Sequence, residues 1–273
     1  MALAHGERHC SASRGIAARR HGRSLLRPSS LNFLWRREMN YQISIAIDNA
    51  GLNSIYSSCL YVTLVKSVVA QPLAQGNLPI AWIAFQPLQQ NQITWQDQYT
   101  MFATTTIPLA GAMIQMTSQS TAPVQTGWLY TFQNGQFNGA SGGGASTFNL
   151  QNEQQGNFSF GLAQTAVVNN VQVNAPINAV SVPYNMSATF APQEQLSLFL
   201  ASYSNNGSVI SQVASNALVI TLSSQSPVAS VGFNDATNTF YLKQTVLRTG
   251  LDYATSLHGV SAQGDARKSL HIA

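Results

Sequence analysis

Apolar and polar residues alternate along most of the chain beyond Met39. In the segment Tyr41–Ile47 every odd-numbered position is apolar, and in Val180–Phe190 every even-numbered position is apolar. A period of two is typical of a β-strand with one face on a core and the other in water. Both segments therefore predict strands. Pro183 cannot donate a ladder hydrogen bond, so the second strand should lie at a sheet edge or bend there.

Short apolar runs separated by turn signals continue through the rest of the chain. Asn134-Gly135 lies between two phenylalanines and predicts a β-hairpin, because this pair readily adopts the positive φ of a type I′ turn. Ile80–Phe85 is apolar on both faces, which predicts a central strand buried between layers. Together the runs predict an all-β protein built as an antiparallel sandwich, Greek-key or jelly-roll-like.

Changes in composition divide the chain into five parts. The stretch 139–146 is rich in Gly and Ser and forms either a linker between two lobes or a long loop within one fold. The expected parts are a disordered or mis-called N-terminal extension (1–38), a first sandwich lobe (39–138), the Gly/Ser stretch (139–146), a second lobe (147–248) and a flexible tail (249–273).

The N-terminal extension holds eight of the thirteen basic residues of the chain. Three interpretations are open: translation that truly begins at Met39, a mitochondrial transit peptide, and an Arg-rich nucleic-acid-binding arm. The abrupt change of amino-acid composition at Met39 favours the first interpretation, in which translation begins at Met39. The extension lacks the apolar stretch of a secretory signal peptide, so we expect any export to use a route independent of such a peptide.

The body of the chain is poor in ionisable groups. Residues 39–248 contain three basic and five acidic residues, and no histidine occurs between His21 and His258. Hydrolytic triads need a base that titrates near neutrality, and zinc or iron sites need clustered His and Cys. We therefore expect no catalytic residue, no metal and no cofactor. Cys59 lies in an apolar run and should be a buried small side chain.

The low charge also limits the partners. A body with a net charge of −2 has no basic face to follow phosphates, so we expect it to bind no nucleic acid, and only the basic arm leaves that question open. No apolar run approaches the ~18 residues of a membrane-spanning helix, so the protein should be soluble or bind membranes from outside.

Two groups of residues are candidates for ligand binding. Trp128 and Tyr130 lie on one face of a predicted strand that leads to the amide-rich turn with Asn134 and Gln136. Aromatic faces beside amide side chains suit neutral glycans, which need stacking and uncharged hydrogen bonds. The simpler interpretation places the aromatic rings in the core and lets the amides cap the turn.

The second candidate group is Trp95, Asp97 and Tyr99, which strict alternation places on one face. A carboxylate among aromatic rings would hold sugar hydroxyls, or act as one of the paired acids of a glycoside hydrolase. Alternatively, Asp97 only ties down a turn through backbone N–H groups.

These observations favour non-enzymatic recognition of a glycan or membrane surface, in the manner of a lectin or a β-rich pore-forming toxin. The latter is suggested by long uncharged segments such as Val167–Pro183. We expect a homo-oligomer, because a nearly uncharged surface favours association. The alternative is a self-assembling coat, fibre or inclusion subunit, and a weaker alternative is a glycoside hydrolase.

Overall fold

The computed structural model describes residues 39–72, 78–203 and 205–243, which form sixteen strands and one helix. The predicted extension (1–38) and the predicted tail (249–273) lie outside the described residues. The described residues form an all-β sandwich of two mixed sheets, as the alternating pattern predicts.

Sheet A has the strand order β16-β15-β1-β4-β10-β5-β6, with β11 and β12 also paired to β10. Its strands are β1 (Asn40–Ala46), β4 (Gln90–Gln96), β5 (Thr100–Thr104), β6 (Ser118–Gln119), β10 (Ser159–Val168), β11 (Val171–Pro176), β12 (Val180–Ser181), β15 (Val228–Asn234) and β16 (Thr239–Leu242).

Sheet B has the order β3-β2-β13-β9-β7-β8, with β14 paired to β13. Its strands are β2 (Tyr61–Gln71), β3 (Ile83–Phe85), β7 (Trp128–Gln133), β8 (Gln136–Ser141), β9 (Phe148–Asn152), β13 (Ser187–Ala201) and β14 (Leu218–Thr221). Most pairs are antiparallel as expected, but β1 with β15 and β7 with β9 are parallel.

The core lies between the two sheets and is filled by the inward-facing rows of both. Tyr41, Ile43 and Ile45 alternate inward on β1, which confirms the period of two in that segment. Trp82 and Trp95 meet edge to face, with ring centroids 5.5 Å apart. Each ring of this size buries a large apolar area in the core.

Strands from both sides of the Gly/Ser stretch pair within each sheet. β10 pairs with β4 and β5 in sheet A, and β13 pairs with β2 over ten residue pairs in sheet B. The described residues on the two sides of this stretch therefore belong to one sandwich, and the alternative of two separate lobes does not hold for them. Residues 139–141 end β8, and the following turn leads to β9 on the other side of β7.

A helix that the alternation does not predict, α1 (Asn49–Ser57), follows β1. Its N-cap is Asp48, whose carboxylate accepts a hydrogen bond from the Gly51 N–H at 2.8 Å. Cys59 follows the helix with a φ of 51° and is exposed, so the expectation of a buried cysteine is wrong. The alternating strand begins only at Tyr61, and Cys59 belongs to the turn that ends the helix.

Two strand predictions need correction. Residues 80–83 are buried and residues 84–85 are half-buried, but only Ile83–Phe85 forms a strand, and this strand lies at the edge of sheet B. Before this strand, Ile80 forms an isolated antiparallel bridge with Val209. The segment 180–190 is two strands, because the chain turns after Pro183 and Asn185 adopts a φ of 60°.

Candidate functional site

A β-bulge interrupts sheet A between β4 and β5. Trp95 pairs with Ala166 and Thr100 pairs with Ala163, so the four residues 96–99 stand opposite only Gln164 and Thr165. Extra residues in a bulge leave the regular alternation and redirect their side chains. Here they place Asp97 and Tyr99 off the strand, beside the inward-facing Gln164.

A second bulge interrupts β13 in sheet B. Pro192 pairs with Val68 and Leu196 pairs with Lys66, so residues 193–195 stand opposite Ser67 alone. Lys66 itself occupies an inward position of β2, between the buried Leu64 and the half-buried Val68. The bulge turns Glu194 toward it, and the Lys66 Nζ lies 2.7 Å from the Glu194 Oε1.

The Lys66 side chain is fully buried and its amine has three polar partners. It donates to the Glu194 carboxylate at 2.7 Å, to the Gln164 Oε1 at 2.9 Å and to the Tyr99 hydroxyl at 3.0 Å. An ammonium has three N–H donors, so each donor has an acceptor. The rings of Trp82 and Trp95 also lie within 6 Å of the nitrogen, at 5.7 and 5.8 Å.

The partners of Lys66 are held in turn by the surrounding core. Glu194 accepts hydrogen bonds from the Trp95 indole N–H at 3.2 Å and from the Tyr99 hydroxyl at 2.9 Å. The Gln164 amide donates to the Gln96 carbonyl at 2.7 Å, which fixes its Oε1 toward Lys66. We call Lys66, Glu194, Tyr99, Gln164 and Trp95 the buried cluster.

Burial shifts the pKa of two groups in the cluster. It lowers the pKa of the Lys66 amine, and the nearby Glu194 carboxylate opposes this effect without overcoming it. Burial, followed by the charges of Glu194 and Asp97, raises the pKa of the Tyr99 phenol well above its ordinary value. Burial thus makes the Lys66 amine easier to deprotonate, and the Tyr99 phenol harder to deprotonate, than in water.

A groove of about 580 Å³ lies at the β4–β5 bulge of sheet A. Its polar lining consists of five amide and three hydroxyl side chains, which are Asn40, Gln42, Gln96, Gln98, Gln172, Thr94, Thr100 and Thr165. Its other lining residues are Tyr41, Trp95, Tyr99, Pro123, Ala163, Ala166, Val167 and Val228. Trp95 and Tyr99 belong both to the groove and to the buried cluster, so the two features adjoin.

The structure brings together the predicted site residues Trp95, Asp97 and Tyr99. Trp95 and Tyr99 are buried and hydrogen-bond to Glu194. Asp97 is half-buried in the bulge, and its charge contributes to the raised pKa of the Tyr99 phenol. Two acidic side chains therefore meet at one phenol. The hydrolase alternative, which needs a second acid beside Asp97, stays a prediction.

The other predicted site residues lie on sheet B, in the hairpin of β7 and β8. Tyr130 is buried, and its hydroxyl accepts from the Gln125 N–H at 2.9 Å, while Trp128 is 36% exposed and stacks on it. Asn134 and Gln136 are exposed at the turn. They are not among the residues that line the groove.

The sequence analysis does not predict Lys66, Glu194 and Gln164 as site residues. A signal for Lys66 is present, because the alternating residues Val62, Leu64 and Ala70 of the same strand all face the core. A lysine in such a row needs a buried partner. Gln164 carries the same signal on β10, where Phe160, Leu162 and Ala166 face the core. Glu194 carries none, since the bulge of β13 brings it there.

Within the part of the chain that the structure describes, no three His, Cys, Asp or Glu side chains gather into a metal site. The one described helix falls short of the length and apolarity that crossing a membrane requires. Comparison of the chain with protein-family models, with curated proteins and with solved structures finds no match.

Proposed function

We propose that this protein binds a neutral glycan in the groove of sheet A and acts by recognition rather than catalysis. The observation that carries the proposal is the lining of the groove, in which eight of sixteen residues are amides or threonines and none is charged. Its volume of about 580 Å³ lies within the range of about 300–1,000 Å³ that small-molecule sites occupy.

Sugars present hydroxyl groups that both donate and accept hydrogen bonds. An amide side chain also supplies a donor and an acceptor, and a threonine hydroxyl does so at a single atom. The apolar residues Pro123, Val167 and Val228 line the same groove, and they offer surface for the C–H faces of a sugar ring. A charged ligand would find no ion-pair partner in this lining.

The groove rests on strands rather than on a long loop. Gln42, Thr94 and Thr165 come from β1, β4 and β10, which pair side by side in sheet A. Gln172 extends the lining onto β11, which pairs with β10 along its opposite edge. Sites on paired strands are held in position before the ligand arrives, which lowers the entropic cost of binding.

The test begins with a glycan array probed with the full chain. The neutral oligosaccharide with the strongest signal is then titrated by calorimetry into the wild type and into Gln172→Ala. We expect the variant to bind about fivefold more weakly, which is the effect of losing one neutral hydrogen bond of about 1 kcal/mol. Gln172 is exposed, so truncating it should leave the fold intact.

Gln136→Ala is the matched control, because it removes an exposed glutamine from the β7–β8 turn, outside the groove. It should bind as the wild type does. Equal loss in both variants, or loss only in the control, would place the glycan elsewhere. Binding of the chain to neutral lipid vesicles in the absence of glycan binding would favour the membrane alternative.

A self-assembling structural role is the second candidate, and the edge of sheet B favours it. Strand β8 pairs only with β7 among the described residues, and its residues are uncharged and mostly exposed. Such an edge is open to pairing with another chain. Large assemblies in light scattering, formed by a protein that binds no glycan on the array, would support this role over recognition.

A further inference from the structure

We propose that Lys66 and Gln164 form an intramolecular isopeptide bond that joins the two sheets of the sandwich, with Glu194 as the proton-transfer group. The Lys66 Nζ lies 2.9 Å from the Gln164 Oε1 and 2.7 Å from the Glu194 Oε1. An amine, a carboxamide and a carboxyl group thus meet within the core at hydrogen-bond distance.

The hydrogen bonds of the Gln164 amide direct its carbonyl oxygen toward the Lys66 amine. The Gln164 Nε2 donates to the Gln96 carbonyl at 2.7 Å, and a carbonyl oxygen only accepts. The carbonyl side of the amide therefore faces Lys66, while the leaving nitrogen points away from it. Gln164 is also anchored on its backbone, where its carbonyl oxygen accepts from the Trp82 indole N–H at 3.0 Å.

The surroundings favour the reaction over hydrolysis. The Lys66 side chain is fully buried and Gln164 is 1% exposed, so water does not compete for the carbonyl carbon. Burial lowers the pKa of the Lys66 amine, which favours the uncharged nucleophilic form. The fixed contact between the two groups supplies the proximity that a bimolecular reaction lacks.

The step balances without an added reactant. Lys66 starts as an ammonium and Glu194 as a carboxylate, and one proton passes from the amine to the carboxylate. The neutral Nζ bonds to the Gln164 Cδ, and its second proton leaves for the departing nitrogen, with Glu194 as relay. The Cδ–Nε2 bond breaks, and the products are a secondary amide, one ammonia molecule and a protonated Glu194.

The bond would tie β2 of sheet B to β10 of sheet A. Its two residues are 98 positions apart in the sequence. A covalent link across so long a loop restricts the unfolded chain strongly, as a disulfide does. It would therefore stabilise the protein without a cysteine pair.

The experiment is mass spectrometry of the purified full chain after denaturing digestion with a protease that cleaves after glutamate. The sequence places Lys66 in the fragment 39–153 and Gln164 in the fragment 154–194. We expect these fragments to appear as one linked species, lighter than their sum by one ammonia molecule. Trypsin should also fail to cleave after Lys66, because an acylated lysine is not a substrate.

Two variants sharpen the test. Glu194→Gln lacks the acid and should yield the fragment 39–153 free of any linked partner, with a β-type circular-dichroism spectrum showing that it folds. Lys243→Met removes an exposed lysine and should stay linked. Separate fragments from the folded wild type would overturn the proposal. So would a link that loses water and joins Lys66 to Glu194, or a link that persists in Glu194→Gln.

Discussion

The buried cluster shows what a lysine requires in an apolar core. Removing an ammonium from water costs several kcal/mol unless all of its donors find acceptors. Lys66 meets this requirement with Glu194, Gln164 and Tyr99, each within 3.0 Å. Because the partners come from both sheets, the cluster also fixes how one sheet sits on the other.

Tyr99 provides a pH test of the cluster. Burial raises the pKa of its phenol in the folded state, while in the unfolded chain it returns to its ordinary value of 10.0. Above that pH the unfolded state loses a proton that the folded state keeps. We expect the free energy of unfolding to fall by about 1.4 kcal/mol for each pH unit above 10 on account of this residue.

Chemical denaturation followed across this pH range checks the prediction. Tyr99→Phe should show a shallower fall than the wild type, because it lacks the titrating phenol. Tyr184→Phe is the matched control, since Tyr184 is 46% exposed, and it should follow the wild type. Identical slopes in the wild type and Tyr99→Phe would mean that the phenol ionises in the folded protein as freely as in water.

At the scale of the elements, the sequence predicts regular strands better than their irregularities. Alternation identifies β1 from Tyr41–Ile47, and the Asn-Gly pair identifies the β7–β8 hairpin, in which Asn134 and Gly135 both have positive φ. These signals are local, because side-chain direction and turn geometry depend on a few neighbouring residues.

The features that create the site are not local. The bulge at residues 96–99 is defined by the pairing of β4 and β5 with β10, more than sixty residues away. Strict alternation does place Trp95 and Tyr99 on one face, as found, but it also places Asp97 within a continuous strand. The contacts of Lys66 with Gln164 and Glu194 depend on which strands become neighbours, and alternation does not encode that.

The β7–β8 turn tests the local rule. Asn134 has a φ of 51°, a conformation that asparagine tolerates and alanine resists. We expect Asn134→Ala to lower the free energy of unfolding by about 1 kcal/mol, measured in urea. The free energy of unfolding of Asn134→Gly should stay within a few tenths of a kcal/mol of the wild-type value, since glycine adopts this φ without strain. Equal values for all three proteins would contradict the turn geometry.

At the scale of the whole molecule, the low charge and the amide-lined groove both support the proposed binding of a neutral glycan. The charged fraction of the chain is 8%, against about 25% in ordinary domains, so most of its polar side chains carry no charge. Within the groove this composition leaves only neutral donors and acceptors. Such a site gains little from long-range attraction and depends on shape and hydrogen bonding.

The most direct measurement is a calorimetric titration of the array-selected neutral oligosaccharide into a variant with a filled groove. Thr165→Trp places a large ring at an exposed groove position of β10, and Asn138→Trp places the same ring at an exposed position of β8. If the glycan binds in the groove of sheet A, Thr165→Trp loses binding while Asn138→Trp binds as the wild type does. Unchanged binding by a folded Thr165→Trp would contradict glycan binding in this groove.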